Sequence, residues 1–379
     1  MDLYLTAFAR AISTLGNEIA LVALMLRLHD HGGWAVAALL AAGTMPMVLL
    51  APLIGTLVDR YDSRTLIVTS SVGQAVTCAT LAFASHPATV LALVTVNAIG
   101  SAITGPTFGA LIRHMSDKVA RANSLQQSAN TAAVLSGPAL GGLLAGVDTQ
   151  LPLLVDAATF LALALTGLTI KARRRPHPQN HSRDSVSILF TDRPLAASTG
   201  LQLLLILVGE TVNVAEVFLV RDTFQASATA YGLLSTTFVA GSLLGMLLAA
   251  KLDTTSRILR TLPLASVAMT TAIAAAGLSP SLAGVFALFV LAGAAAGVMG
   301  VTAATLVILR TPDHLMGRVQ AMLNGMTRTA GIASLGLGAL LTGLFTPSTV
   351  FVLAGTAGLV ATAATIPLFK TARAHTETG

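Results

Sequence analysis

The stretch Gly55-Thr-Leu-Val-Asp59-Arg60-Tyr-Asp62-Ser-Arg64 carries four charged side chains and separates two long apolar segments of the chain. Charged side chains are costly inside hydrocarbon, so this stretch is expected at a membrane surface. A helix crosses a ~30 Å hydrocarbon core with about 20 apolar residues, at a rise of ~1.5 Å each. Such segments recur on both sides of the stretch. Twelve transmembrane helices are predicted from them, near residues 4–26, 34–58, 65–85, 88–112, 122–147, 151–170, 195–220, 231–250, 261–279, 281–309, 319–345 and 349–369.

The composition excludes a soluble protein. Hydrophobic residues make up 54% of the 379-residue chain and charged residues only 10%, proportions that a soluble domain of this size does not carry. The sequence therefore predicts an all-α integral membrane protein. The net charge of +6 does not indicate a nucleic-acid partner, because the basic residues are scattered among short loops.

The basic residues are divided unequally between the two sides of the predicted membrane. If both termini lie on one side, that side holds 18 of the 22 Lys and Arg residues. The other side holds Arg27 and Arg221, while Arg10 and Arg328 fall inside predicted spans. Because short basic loops stay in the cytoplasm, both termini are expected to be cytoplasmic.

The chain reads as two related halves. A polar stretch at 171–194 divides the twelve spans into six and six, and we interpret it as a cytoplasmic linker between an N-terminal six-helix bundle (1–170) and a C-terminal one (195–379). Because each half has an even number of spans, the halves share one orientation, which predicts pseudo-symmetric bundles. A shift of 197 residues superimposes two arginine pairs, Arg113 with Arg310 and Arg121 with Arg318.

The charged stretch 55–64 resembles the glycine, aspartate and arginine signature of the major facilitator superfamily, which lies in the same loop between the second and third helices. The resemblance implies the major facilitator fold. It also implies a conformational latch, a charge cluster that breaks when the helices separate, and not a substrate site. The latch residues would be Gly55, Asp59, Arg60 and Arg64.

The predicted fifth span contains Ser136-Gly137-Pro138-Ala-Leu-Gly141-Gly142. A proline flanked by glycines lets a helix bend and pack closely on a neighbour. The run resembles the core of the family's antiporter motif, with Ser124 and Ala133 in place of two upstream glycines. The resemblance implies export, and packing alone is the alternative. The residues of the bend would be Gly137, Pro138, Gly141 and Gly142.

Two further segments look like one branch of this family. They are Gly209-Glu210-Thr-Val-Asn213-Val-Ala-Glu216-Val-Phe-Leu-Val-Arg221-Asp222 and Arg310-Thr-Pro312-Asp313-His-Leu-Met-Gly317-Arg318-Val. The branch is the bacterial efflux group that holds macrolide-type drug exporters and enterobactin-type siderophore exporters. The resemblance covers nearly the whole chain and implies a protein of the bacterial inner (cytoplasmic) membrane.

Ionisable residues inside the spans are functional candidates, since a charge at the centre of a membrane helix costs at least ~2.5 kcal/mol. Glu18 and Glu210 are each expected roughly 20 Å from the cytoplasmic helix ends, facing one cavity as proton-coupling groups. Asn213 follows Glu210 by three residues and is predicted on the same helical face. Arg328 is predicted to pair with one of the glutamates, and backbone carbonyls are its alternative partners.

Three other charges inside the spans are expected to have structural roles. Glu216 lies close to Arg221 at the outer interface, and an ion pair between them is predicted. Asp156 lies about five residues from the outer end of its span, so an ion pair at the interface is predicted for it. Arg10 lies near the inner surface, and its side chain is expected to extend to that surface.

These observations predict a secondary transporter that works by alternating access. It is expected to export lipophilic or amphipathic, drug-like small molecules in exchange for protons, as a monomer in the lipid bilayer. The alternatives are an exporter of an anionic siderophore or natural product, with Arg328 as counter-charge, and a transport-dead membrane sensor. The sequence has no metal-ligand cluster, phosphate-binding loop or nucleophile elbow, so no enzyme, cofactor or metal is expected.

Overall fold

The computed structural model describes residues 2–115, 119–169, 188–249 and 254–377, and nearly all of them are helical. A π-helical turn, Leu219–Thr223, follows the ninth of the described helices. These helices are α1 Asp2–His29, α2 Gly33–Leu49, α3 Ala51–Arg60, α4 Ser63–Phe83, α5 Pro87–Met115, α6 Val119–Val147, α7 Leu151–Thr169, α8 Ile188–Thr191, α9 Arg193–Phe218, α10 Ala228–Ala249, α11 Thr255–Leu278, α12 Leu282–Arg310, α13 Asp313–Leu344 and α14 Pro347–Glu377.

A helix or helix pair lies at each of the twelve predicted spans. Ten helical segments of the described chain are long and apolar enough to cross a membrane. The helices at the other two predicted spans do not meet these criteria, each for a different reason. At the second span α2 has only 17 residues, and at the eleventh α13 is 32 residues long but more polar. The chain is therefore a multi-pass, all-α membrane protein.

The second predicted span is not one continuous helix. It divides at Leu50, whose backbone angles (φ −96°, ψ 3°) depart from helical values. Pro52 lies at the start of α3, and a proline has no amide hydrogen to donate to the preceding turn. Beyond the break, Ile54 is buried and packs with Leu66 of α4 and Ala102 of α5. The prediction of a single helix over 34–58 is therefore wrong.

The chain forms two compact units. Unit 1 comprises Met1–His181 and Ser227–Thr236, and unit 2 comprises Ser182–Ala226 and Thr237–Gly379. The first part of α10 therefore belongs to the same unit as α1 to α7. The predicted linker lies outside the described residues as far as residue 187, and its last part contains α8 and the start of α9.

Small residues determine how closely the helices of unit 2 pack. Gly241 and Gly245 of α10 lie against the backbone of α12, and a Cβ atom at either position would collide with a carbonyl oxygen. Gly293 and Gly297 of α12 lie against α10 in the same way. Because lipid provides no hydrophobic force between helices, van der Waals contact of this kind stabilises the pair.

Candidate transport site

Glu18 lies on α1 where this helix crosses α6. A Cβ atom at Gly137 of α6 would collide with Glu18 Cβ, so the two helices are in direct contact at this level. One turn further along α6, a Cβ atom at Gly141 would lie 2.8 Å from the carbonyl oxygen of Ile19. The Glu18 side chain is half-buried. The structure thus brings a candidate proton-coupling residue against the candidate antiporter motif, a proximity that the sequence did not indicate.

A polar stripe continues along α1 below Glu18. The Thr14 hydroxyl donates a hydrogen bond to Asn130 Oδ1 of α6 over 2.8 Å. Arg10 lies one turn before Thr14 and is half-buried. Because Arg10, Thr14 and Glu18 are spaced four residues apart, they lie on one face of α1.

The opposite face of the antiporter motif packs on α10, within unit 1. A Cβ atom at Gly142 would lie 2.6 Å from the carbonyl oxygen of Ala228 and 3.1 Å from the Cα atom of Gly232. A Cβ atom at Gly232 would in turn collide with the carbonyl oxygen of Pro138. Pro138 lies inside α6 and cannot donate to the preceding turn. The antiporter motif therefore lies at two helix crossings, that of α6 with α1 and that of α6 with α10.

Glu210 lies on α9 in unit 2. Its Oε2 atom accepts a hydrogen bond from Asn213 Nδ2 over 3.0 Å, so the two side chains share one face of the helix. A Cβ atom at Gly331 of α13 would lie 3.7 Å from Glu210 Cγ, which places the glutamate beside α13. Arg328 lies three residues before Gly331 on α13, and its side chain is exposed. Its pairing with a glutamate stays a prediction.

The predicted latch begins in the short helix α3, which contains Gly55, Asp59 and Arg60. The Arg60 side chain is exposed. The side-chain environments of Gly55 and Asp59 lie outside the described part of the structure. The break before α3 makes this part of the latch a helix of its own.

The remaining latch residue, Arg64, lies at the start of α4 and is anchored within unit 1. Its guanidinium group donates to the carbonyl oxygen of Leu168 at the end of α7. Beside it, Asp62 Oδ1 is buried without a hydrogen-bond partner among the described residues. The family resemblance does not assign Asp62 to the latch. A buried carboxylate oxygen without a partner identifies it as a further candidate there.

The structure contradicts the ion pair predicted for Asp156. The residue is 0% exposed, and among the described residues its carboxyl group contacts no basic side chain. Cys78 Sγ donates to Asp156 Oδ2 over 3.2 Å, and Thr159 Oγ1 lies 3.2 Å from Oδ1. Gly16 of α1 leaves room for the side chains of Asp156 and Thr159, since a Cβ atom at Gly16 would lie 2.5 Å from Thr159 Oγ1. Asp156 therefore joins α7 to α4 beside α1.

Long apolar helices, carboxyl groups inside the spans and close glycine crossings are typical of polytopic membrane proteins, transporters among them. The family model of the Major Facilitator Superfamily matches residues 6–220 and 199–378. The chain belongs to this family and is a transporter, not an enzyme.

Two relatives from Bacillus subtilis show how far the similarity extends. The chain is 28% identical over 183 residues to BacE, proposed as a bacilysin exporter, and the match covers 47% of this chain and 46% of BacE. It is 24% identical over 373 residues to the uncharacterized MFS-type transporter YfiS of strain 168, covering 92% of this chain and 88% of YfiS. The chain thus spans about half the length of BacE and most of the length of YfiS.

Among solved structures, the nucleoside transporter NupG superimposes with a TM-score of 0.79 at 14% sequence identity, covering 97% of this chain and 99% of NupG. At this identity the similarity concerns the fold alone. The predicted major facilitator fold is confirmed.

Proposed function

We propose that this protein exports lipophilic or amphipathic small molecules in exchange for protons, with Glu210 as the principal proton carrier. The observation that carries this proposal is the setting of Glu210 within α9. Among the described residues its hydrogen bond comes from the neutral amide of Asn213. A carboxyl group held by a neutral donor can bind and release a proton without the breaking of an ion pair. Membrane carboxyl groups of this kind serve in proton relays.

Export is supported by two observations. The antiporter motif forms tight crossings with two helices, at Gly137 and at Gly142. BacE, to which half of the chain is similar, is proposed as an exporter. Drug-like substrates are inferred from the apolar composition, since aromatic residues make up only 4% of the chain and charged residues 10%.

The membrane orientation follows from the distribution of basic residues, which favours cytoplasmic termini in a bacterial inner membrane. We propose that the bundles at 1–170 and 195–379 alternate in their opening to the two sides, with the linker at 171–194 between them. The latch at 55–64 would break and reform in each cycle. A monomer would suffice, because each chain carries both bundles.

The test is transport by the purified protein in proteoliposomes under an imposed pH gradient, with ethidium as a lipophilic probe and pyranine as an internal pH indicator. The wild-type protein is expected to couple ethidium movement to proton movement. Glu210→Gln keeps the shape and hydrogen bonding of the side chain but cannot titrate. Proton-driven transport should therefore disappear while downhill ethidium exchange continues.

Two matched variants complete the experiment. Glu18→Gln is expected to do less, because that residue would mainly orient the substrate. Asp30→Asn is the control, since the Asp30 side chain is 82% exposed beyond α1 and should leave coupling unchanged. Full proton-coupled transport by Glu210→Gln across pH 6–8 would show that another acid carries the proton.

A further inference from the structure

Arg10 is a cation inside a membrane span, and its side chain is directed sideways toward α5. The guanidinium carbon lies 5.0 Å from the centre of the Phe108 ring, and Nη1 donates to the Gly105 carbonyl oxygen over 3.5 Å. Phe108 is only 1% exposed and is a fixed platform. Arg10 lies about 12 Å along α1 from Asp2, and Gly105 lies about 15 Å from the end of α5. The Arg10 side chain therefore packs against α5, and its expected extension to the inner surface stays a prediction.

Arg27, a second arginine of α1, has a structural role and serves as a comparison for Arg10. Arg27 donates to the carbonyl oxygens of Leu81, Ala84 and Thr149 at 2.8, 3.1 and 3.0 Å. It thereby satisfies the carbonyl groups at the end of α4 and in the loop before α7. Arg10 has one long bond to a single carbonyl. A guanidinium group has five N–H donors, and no carboxylate contacts this one among the described residues.

The surroundings of Arg10 offer further unused donors and space. Asn130 accepts from Thr14 through Oδ1, and no described hydrogen bond uses its amide nitrogen, which carries two N–H donors. A Cβ atom built at Gly105 would meet nothing within 4 Å. Asn130 thus lies on α6 opposite Thr14, one turn from Arg10, and Gly105, whose carbonyl oxygen accepts from Arg10, has no neighbour at its Cβ position.

We propose that Arg10 binds an anionic group of the transported molecule, a carboxylate, sulfonate or phosphate, with the Asn130 amide as a second donor. The inference rests on the proposed export function and adds a substrate class to it. A planar guanidinium group binds such groups through two parallel hydrogen bonds. Stacking on Phe108 fixes the orientation of that plane. Glu18 lies about 12 Å further along α1 and contacts α6, not α5.

The test is ligand-dependent thermal stability of the full-length protein in an uncharged detergent. Cys78 is the only cysteine of the chain and is 1% exposed, so its reaction with a coumarin maleimide reports unfolding. The probe is 2-naphthoate, and its uncharged counterpart is 2-naphthamide. Naphthoate is expected to raise the unfolding midpoint of the wild-type protein by several degrees, because a ligand that binds only the folded state stabilises it. Naphthamide should leave the midpoint unchanged.

Four variants test whether Arg10 and Asn130 bind the anionic group of naphthoate. Arg10→Gln should lose the naphthoate shift, and Arg10→Lys should keep part of it, because lysine keeps the charge without the planar fork. Asn130→Asp keeps an acceptor for Thr14 but adds a negative charge beside the guanidinium group. It should also lose the shift, and it tests the site even if Arg10→Gln does not fold. Arg27→Gln is the control, which should lower the midpoint without ligand and retain the naphthoate shift.

Three results would overturn the proposal. One is a wild-type protein that naphthoate and naphthamide stabilise equally, or not at all. Another is a full naphthoate shift in Arg10→Gln or Asn130→Asp. The third is stabilisation by phosphatidylglycerol in nanodiscs that depends on Arg10 while naphthoate has no effect, which would assign the site to a lipid head group. Since no proton gradient is present, these results are separate from the outcome of the Glu210→Gln experiment.

Discussion

Substitution of Gly142 by alanine tests whether the contact between α6 and α10 in unit 1 is required for transport. The new Cβ atom would lie 2.6 Å from the Ala228 carbonyl oxygen and 3.2 Å from the Gly232 amide nitrogen. An ordinary contact begins near 3.4 Å, so the two backbones must separate locally by about 0.8 Å. The neighbouring atoms belong to backbone and cannot rotate away. Overpacking of this kind costs ~1–3 kcal/mol.

A free-energy cost of ~1–3 kcal/mol corresponds to a roughly 5–150-fold change in an equilibrium constant. Gly142→Ala should therefore lower the occupancy of the conformation that contains this contact, and slow ethidium transport in proteoliposomes by a comparable factor. It should also lower the unfolding midpoint reported by Cys78 labelling.

The control for this variant is Gly146→Ala, one turn further along the same helix. Its Cβ atom would lie 3.5 Å from Thr229 Oγ1, an ordinary contact, so transport and stability should both stay near wild type. If Gly142→Ala transports ethidium at the wild-type rate and unfolds at the wild-type temperature, the close approach of α6 and α10 has no role in the cycle.

Two further substitutions test other parts of the molecule. Asp59→Asn, in the predicted latch, should weaken transport while membrane insertion and substrate binding stay largely intact. Loss of binding with unchanged rates of interconversion between conformations would contradict a latch role. Asp156→Asn keeps a hydrogen-bonding partner for Cys78 and Thr159, so the yield of folded protein on size-exclusion chromatography should be near wild type. Asp156→Leu removes the acceptor of the buried Cys78 thiol, while Thr159 keeps its bond to the backbone carbonyl of residue 156; the unsatisfied buried donor costs ~1–3 kcal/mol and should lower the yield. Equal yields for the two variants would show that the hydrogen bonds of Asp156 do not stabilise the fold.

Much of the fold could be predicted from the sequence because a bilayer imposes one length and one polarity on every helix that crosses it. The span predicted at 151–170 corresponds to Leu151–Thr169, and that at 281–309 to Leu282–Arg310. The break at Leu50 was missed, although Pro52 was visible, because prolines inside membrane helices are often tolerated. Pro138 lies within a continuous helix, so a proline alone does not decide between a bend and a break.

The candidate site was less predictable, because depth along a helix does not determine which neighbour a side chain meets. The distance of Asp156 from its helix end predicts an ion pair at the interface, whereas its carboxyl group contacts Cys78, which is 78 residues away in the sequence. The contact of Glu18 with Gly137 depends on how α1 and α6 cross. For Asp156, a usable signal was present in Thr159, three residues later and therefore on the same helical face.

The break at Leu50 makes α3 a short helix separate from α2. Its ten residues give an arm of ~15 Å, and a rotation of about 10° at Leu50 would displace Arg60 by about 2.6 Å. Among the described residues of α3, Ile54 is buried against α4 and α5, and Leu57, one turn further along, is partly buried against the same cluster. A small rotation at Leu50 is amplified at the charged end. If the predicted latch works as proposed, such a rotation would move its charged end by about 2.6 Å while α2 stays in place.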